Sequence, residues 1–529
     1  MQSYKEGDVM AKFIPYDPNQ SKMVVINYAD QLQPGTFEFA INHIIDHKLD
    51  LSIFYPRYQN DDGGRPAYDP AILLKIILFA YSKGITSSRE IQWSCETNIL
   101  FKALSCDTVP HYTTLAGFVS ARSEEIEALF EQVLLICDEQ GLLGKELFAL
   151  DGCKLSSNAA KEWSGTFKEL EQKRDKIQRQ IQYYVNEQQQ RDTADTREEE
   201  RSRRAQQAIE TLNKAHEKIS RFLKSTSPRM GQGRIKKEVK SNITDNQSAK
   251  MTTSKGTIQG YNGVATVDKK YQIIVDAQAF GEGQEHHTLK PVINSIFDRF
   301  KRLGIALNDP IITADTGYAN EANMQYLHDN QINAYIPDNQ FRKRDPKFID
   351  QQTNHSQRKA ITGKKKPTAS VIPPSEFSFN PVEKTCQCPA GESMWLRSEL
   401  IDKHGHSKIF FEGRLSKCRA CELKYQCMRN PESANHRKGH GRQVSFILQK
   451  SQRRANYTDW MKRRVDSDKG KQIYSHRMSV VEPVFGNIGT NKGLNRFSLR
   501  GKKKVQGQWR LYCLIHNIEK LKNYGELAA

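Results

Sequence analysis

Apolar residues first gather in PAILLKIILFAYSKG, which starts at Pro70 and reads as a strongly apolar helix. SSREIQWSCETN follows, with Ser87 or Ser88 in the N-cap position. HYTTLAGFVSAR and EEIEALFEQVLLICDEQG continue the pattern, the second as a long amphipathic helix. Residues 1–9 read as a polar leader, and the chain from 10 to about 140 as a helical block. That block has room for a helix-turn-helix. Its turn signal names no recognition helix, and a plain bundle fits equally well.

KELFALDGCKL then reads as a strand ending near Asp151. Residues 161–224 turn polar and charged. Leu170, Ile177, Ile181 and Tyr184, then Ile209, Leu212, His216, Ile219 and Leu223, carry heptad-like spacing and predict an antiparallel helical hairpin. GYNGVATVD and YQIIVDAQAF, on either side of Lys269-Lys270, predict a β-hairpin. LKPVINSIFDRFKRLG is an amphipathic helix stopping at Gly304. IITADTGY is a strand running into a turn, EANMQYLHDNQ a helix and NAYIPD a strand. Alternating strands and helices predict an α/β class, with a mixed sheet flanked by helices.

Residues 341–455 break the pattern with Lys, Pro, Ser and Gly, reading as a basic linker (341–380) and then a small cysteine-bearing module. Helical patterning returns from about 456 to 523. The expected organisation is a helical, DNA-binding N-terminal domain (1–140) and the first part of a core (141–340) holding the hairpin insert (161–224). The linker and cysteine-rich insertion (341–455) and the last part of the core (456–529) follow.

Charge narrows the partner. Lys and Arg number 80 against 61 Asp and Glu in 529 residues, a net charge of +19. Such an excess favours a polyanion, with nucleic acid ahead of an anionic membrane surface. No apolar run is long enough to span a bilayer. MQSYKEGDVMAKF lacks a signal-peptide pattern, so a cytoplasmic location is expected.

Three acids stand out by context. Asp151 closes the apolar run LFAL, Asp315 closes IITA, and Glu482 sits in the helical stretch SHRMSVVEPVFGNIG. An acid at the end of a buried strand is costly without a partner, and a divalent cation is one such partner. A turn or N-cap role is the plainer alternative for each Asp. It suits Asp268 and Asp338 better than Asp151 or Asp315.

Between Glu482 and Glu519 there is no acidic residue. That stretch carries Lys492, Arg496, Arg500, Lys502, Lys503, Lys504 and Arg510, interleaved with Phe485, Phe497, Trp509 and Tyr512. A single-sign run beside an acidic site suits a phosphate backbone, which it would position without reading sequence.

Five of the ten cysteines fall between 386 and 427. Cys388, Cys418, Cys421 and Cys427 form the best set for a closed tetrahedral Zn²⁺ site of structural kind. Cys386 could replace Cys388. His404, His406, His436 and His440 are less well spaced, and free cytosolic thiols are the plainer alternative.

Several blocks together resemble the DDE transposases of bacterial insertion sequences, in a branch with a helical N-terminal domain and a cysteine-rich insertion. ALDGCKLSSNAAK is similar to the family's first-Asp block and IITADTGYANEANMQYL to its second. VVEPVFGNIGTNKGLNRFSLRGKKKVQGQWRLYCLIHNIEKL is similar to its terminal Glu block, and SNITDNQSAKM and IQGYNGVATVDKKYQIIVDAQ to the segments between. The resemblance covers roughly residues 10–525. It implies an RNase H-like core and two Mg²⁺ (or Mn²⁺) ions held by Asp151, Asp315 and Glu482. It further implies double-stranded DNA as substrate, cleavage followed by strand transfer, and a homodimer on paired ends. Tyr474, Arg477 and Lys492 would then position phosphate. Two departures stand out. Four residues separate Arg477 from Glu482 where the family has three, and Lys492 is displaced. Glu285-His286-His287 stand where an Asn-Asp pair is common. A nuclease without strand transfer, or a DNA-binding regulator, is the alternative.

Overall fold

A computed structural model describes residues 18–19, 21, 23, 25–58, 66–191, 199–231, 236–253, 256–348, 371–401, 406–449 and 456–526. The polar leader, residues 349–370 of the linker and His404 lie outside the described residues. The chain divides into two compact units. The first draws on 1–283, 292–308 and 479–529, the second on 284–291 and 309–478.

The first unit opens with six helices: α1 (Phe37–His47), α2 (Pro70–Ser82), α3 (Ser88–Thr97), α4 (Ile99–Ser105), α5 (Tyr112–Ala121) and α6 (Ser123–Glu139). Asp69 caps α2 by accepting from the Ala71 amide at 2.7 Å, and Pro70 takes the first turn, where an N–H would have no partner. Nearly every α2 side chain is buried, so it is a core helix rather than a surface one. Its one lysine, Lys75, reaches Asp46 at 2.6 Å. Ser87 stands at the N-cap of α3, but its side chain makes no capping bond.

The sheet of this unit is antiparallel. β1 (Leu147–Ser156) pairs with the long β3 (Gly256–Asp268), whose other partners are β2 (Ala249–Thr253) and β4 (Ile274–Phe280). β3 and β4 form the expected hairpin around Lys269-Lys270. Asp268 staples that end, accepting from the amides of Gly144, Lys145 and Lys270. Between β1 and β2 stand α7 (Phe167–Arg191) and α8 (Glu199–Ser225). Leu170, Ile177 and Ile181 meet Ile219, with Ile209, Leu212 and Leu223 beside them, as the heptad spacing predicted. One expectation changes: β1 does not end at Asp151. It continues to Ser156, and only its burial changes, from fully to half-buried, at that residue.

In the second unit β5 (Ile311–Ala314) and β6 (Ala334–Tyr335) run parallel, joined through α10 (Glu321–Asp329). The cysteine-bearing region is more regular than its composition predicted. It holds a five-stranded antiparallel sheet: β7 (Ser378–Asn380), β8 (Thr385–Gln387), β9 (Ser393–Ile401), β10 (Ser407–Glu412) and β11 (Gln443–Gln449). Phe377, Met394, Ile409, Phe411 and Val444 form its core.

Helix α9 (Leu289–Arg302) precedes β5, and α11 (Phe341–Arg344) follows β6. Two short helices, α12 (Leu415–Arg419) and α13 (Lys424–Cys427), lie between β10 and β11, and α14 (Tyr457–Asp466), α15 (Asp468–Gly486) and α16 (Lys502–Tyr524) follow the sheet. Among the described residues, no helix is long and apolar enough to cross a membrane.

Candidate active site

Asp151 lies opposite Ala265 in the β1–β3 ladder, half-buried, with Oδ1 accepting from the Gly152 amide at 2.8 Å. Gly152 is required there: a Cβ would stand 2.7 Å from Oδ1 of Asn262, which is fully buried. Side chains alternate along a strand, so Asp151 and Cys153 share the face opposite Gly152. Cys153 points its thiol at the Gly263 carbonyl, and burial, with the Asp151 charge behind it, pushes that thiol up to about 12.

The same face carries Trp509 of α16. A Cβ on Gly263 would meet the indole at 3.2 Å, so the ring lies flat against bare backbone, while its Nε1 donates to the Val264 carbonyl at 3.0 Å. Phe485 of α15 stacks on Trp509 with centroids 6.2 Å apart. Glu482 is exposed and stands one helical turn before Phe485. Gly263, Trp509 and Phe485 therefore form one stack, with Asp151 two residues along β1 from Cys153, the ladder partner of Gly263, and Glu482 one turn from Phe485.

Pro483 follows Glu482 inside α15 and cannot donate to the Ser479 carbonyl one turn back. Gln272 Nε2 donates to that carbonyl instead, at 3.0 Å. Beyond it the helix widens into a π-turn at Asn487–Asn491, a form often found at functional sites. Lys492 follows, buried, with Nζ 2.7 Å from Glu519, and Asn487 donates to the same carboxylate. Lys492 thus ties the π-turn to α16 rather than facing solvent.

Asp315 belongs to the second unit. It follows β5 and caps a single 3₁₀ turn, accepting from the Gly317 amide at 2.7 Å. A second carboxylate lies there that sequence reasoning passed over. A Cβ on Gly317 would stand 2.1 Å from Glu285 Oε2 and 2.9 Å from Asp315 Oδ1. Asn323 holds the two segments together by donating to the carbonyls of His286 and Tyr318, both at 2.8 Å. The only sequence signal was the departure at Glu285-His286-His287. Tyr474 packs edge-on against Phe341, and Arg477 is buried.

Arg496, Arg500, Lys502, Lys503 and Lys504 are exposed, as a phosphate-contacting run requires. Arg496 donates to Asn158 Oδ1 at 2.9 Å, and Lys503 pairs with Glu124.

Cys388, Cys418, Cys421 and Cys427 line one cavity of about 640 Å³ in the second unit. Cys388 opens a tight turn whose Gly391 has φ +79°. Gly413 and Gly441 pass over the Cys418 thiol, where Cβ atoms would come within 2.7 and 3.1 Å of Sγ. Burial raises the Cys418 and Cys427 thiols, and their fellow cysteines add to it. Cys386 is not of this group, lying in the sheet core against Met394. Among the described residues, no three His, Cys, Asp or Glu side chains are drawn together closely enough to hold a metal ion.

Residues 387–522 match the family model described as Transposase DDE domain, and residues 26–121 match Transposase domain (DUF772). These two matches support a DDE transposase of insertion-sequence type. The first match runs from the cysteine-bearing sheet through Glu482 to α16, and the second covers α1–α5. Asp151 and Asp315 fall outside both. No curated protein matches the chain. The family implies a nucleotidyl-transferase type of enzyme, DNA as its partner and a divalent metal such as Mg²⁺.

Proposed function

We propose that this transposase cuts DNA at the ends of its element and joins the freed 3′ ends to target DNA, acting as a dimer on paired ends through an RNase H-like core. Asp151, Asp315 and Glu482 are the residues to hold two Mg²⁺ or Mn²⁺ ions. Their chemistry fits: all are oxygen donors, and Asp151 and Asp315 each have one oxygen engaged by a backbone amide, which orients the other. Bound ions would supply charge stabilisation for the attacking and leaving oxygens of phosphodiester displacement. The protein's part is to aim the carboxylates and hold the DNA backbone. The observation that carries this reading is the Trp509 anchor, with Asp151 on the strand paired to the one it covers and Glu482 one turn from the ring stacked on it. No side-chain nucleophile is needed, since water and then a DNA 3′-hydroxyl attack.

The phosphate-positioning role falls to Arg496, Arg500, Lys502 and Lys504 on exposed surface, with Tyr474 and Arg477 upstream on α15. Lys492, committed to Glu519, supports the site from within.

The four thiols around one cavity support a structural Zn²⁺ reading, with closure of the set needed for tetrahedral bonding. Its measure is zinc content: about one zinc per chain is expected for the native protein, and Cys421→Ala should lose it while Cys386→Ala keeps it.

The decisive experiment is cleavage and strand transfer on DNA bearing the element's ends, with Mg²⁺. Native protein should yield both products and Asp315→Ala neither. Cleavage without joining would favour a nuclease. Undiminished products from the variant would refute the site.

A further inference from the structure

The cationic segment that begins α16 is held from below by one buried carboxylate. Arg500, Lys502, Lys503 and Lys504 are exposed neighbours of one sign, and mutual repulsion alone would splay them. Lys503 is answered by Glu124. Among the described residues, neither Lys502 nor Lys504 meets a carboxylate. The backbone beneath them is nevertheless fixed at several points. Phe497 donates its amide to the Ser156 carbonyl at 2.9 Å, at the end of β1. Asn158 donates to the Ser498 carbonyl at 3.1 Å, and its own carbonyl accepts from Arg500 Nε. Gly501 then turns the chain into the helix with φ +87°, a conformation that favours glycine.

Asp245 closes this turn. It is buried, and its carboxylate accepts from the Tyr261 hydroxyl at 2.9 Å, from the Gly501 amide at 3.1 Å and from the Gln247 amide at 3.3 Å. Gln247 Oε1 accepts from the Lys502 amide at 2.7 Å, so two successive amides at the helix start are held by one short turn. Asn242 Oδ1 accepts from the Asp245 amide at 3.0 Å and stiffens that turn in its own place. A buried carboxylate is stable only when well supplied with donors, and these donors are the backbone of the cationic segment and a buried tyrosine. Its negative charge also suits the amino end of a helix.

We propose that Asp245 is a positioning residue for DNA binding: it sets Arg500, Lys502 and Lys504 as one rigid cradle for successive backbone phosphates. The inference rests on the reading of that segment as a DNA contact. Asp245 itself touches no DNA. Its contribution is that the cations are arranged before binding, so little ordering is left to be done when the duplex arrives.

The test is binding of a generic DNA duplex, followed by fluorescence anisotropy across a range of KCl. Each phosphate contact contributes roughly 0.9 to the slope of log affinity against log salt. Replacing Lys502 and Lys504 together by alanine should lower that slope by roughly two contacts' worth. Asp245→Asn keeps every cation, so the net charge does not fall. It should nevertheless weaken binding several-fold and lower the slope by roughly one contact. A merely structural effect would move the melting temperature and leave the slope of the folded fraction alone. Gln247→Ala, nearer the surface, should lower the slope in the same direction and decides the matter if Asp245→Asn does not fold. An unchanged slope in both turn variants, with a lowered slope in the double lysine variant, overturns the role of Asp245 alone. An unchanged slope in the double lysine variant overturns the DNA reading of the segment itself.

Discussion

Glu285 and Asp315 converge on the same glycine, Gly317, whose amide Asp315 holds and over whose α-carbon the Glu285 carboxylate lies. Thirty positions separate the two acids in sequence. A methyl group on Gly317 would fall 2.1 Å from Glu285 Oε2, the far end of a flexible side chain that can swing away. Gly317→Ala should therefore cost little stability, under about 1 kcal/mol, because no backbone strain accompanies it. It should lower DNA cleavage markedly, since Asp315 loses its neighbouring carboxylate. Thermal melting beside a cleavage assay checks this. Full activity in the variant would mean that the reaction does not use Glu285's place beside Asp315.

The first unit depends on a buried ionic cluster. Arg299 of α9 is fully buried between Asp276 of β4 and Glu127 and Glu131 of α6. Ser295 adds a hydroxyl to Asp276 at 2.8 Å, and Arg510 of α16 reaches Glu127 at 2.6 Å. Arg299→Met fills similar space but leaves Asp276 buried without its counter-charge. A loss of about 3–5 kcal/mol is expected in urea unfolding. A loss below about 1 kcal/mol would mean that Arg510 takes over the pairing.

Much of this fold was legible because burial follows period. The α2 helix, the hairpin core at Ile177 and Ile219, the β3–β4 hairpin and the turn at Asp315 all lie where apolar spacing and stop signals predicted them. The apolar run singles out Asp151 but also marks it as the strand's end, whereas the strand runs on to Ser156. The apolar run stops at Leu150 because the sheet face becomes half-buried, not because the strand ends. The five-stranded sheet went unread because Trp395, Leu400, Ile401 and Ile447 are exposed, which erases the in–out alternation. Lys492 read as a phosphate contact, yet it is spent on Glu519. The signal was present, since Glu519 is the first acid to end the long acid-free stretch. Glu285 beside Asp315 is a tertiary fact that no local spacing carries.

The Trp509 anchor invites a test of its own. Trp509→Ala would empty the space between Gly263 and Phe485, costing about 3–5 kcal/mol. Gly263→Ala would crowd the same ring at 3.2 Å and should cost about 1–3 kcal/mol. Both changes reach Glu482 through Phe485. Cleavage by the folded protein should fall further than unfolding alone explains, as read by activity at temperatures well below each variant's melting point. Activity that merely tracks the folded fraction would sever the link between Trp509 and the terminal carboxylate.

His516 gives the fold a pH dependence of known sign. It is fully buried on α16, its Nε2 2.9 Å from the Gln272 carbonyl and its Nδ1 3.1 Å from Asn487. Burial pushes it down from 6.5 to about 4, with the Gln272 carbonyl opposing and Lys520 assisting. The unfolded chain therefore takes up a proton near pH 6.5 that the folded chain refuses until about pH 4. Stability from this group is complete above pH 6.5 and is lost as pH falls toward 4. The full effect is of order 3 kcal/mol. His516→Gln keeps a polar side chain but cannot titrate. Its unfolding free energy should be lower at neutral pH and should lack that part of the acid-side decline. If the native protein and the variant lose stability in parallel between pH 6.5 and 4, His516 is already protonated in the fold, and the contact with Gln272 is an N–H donated by an imidazolium.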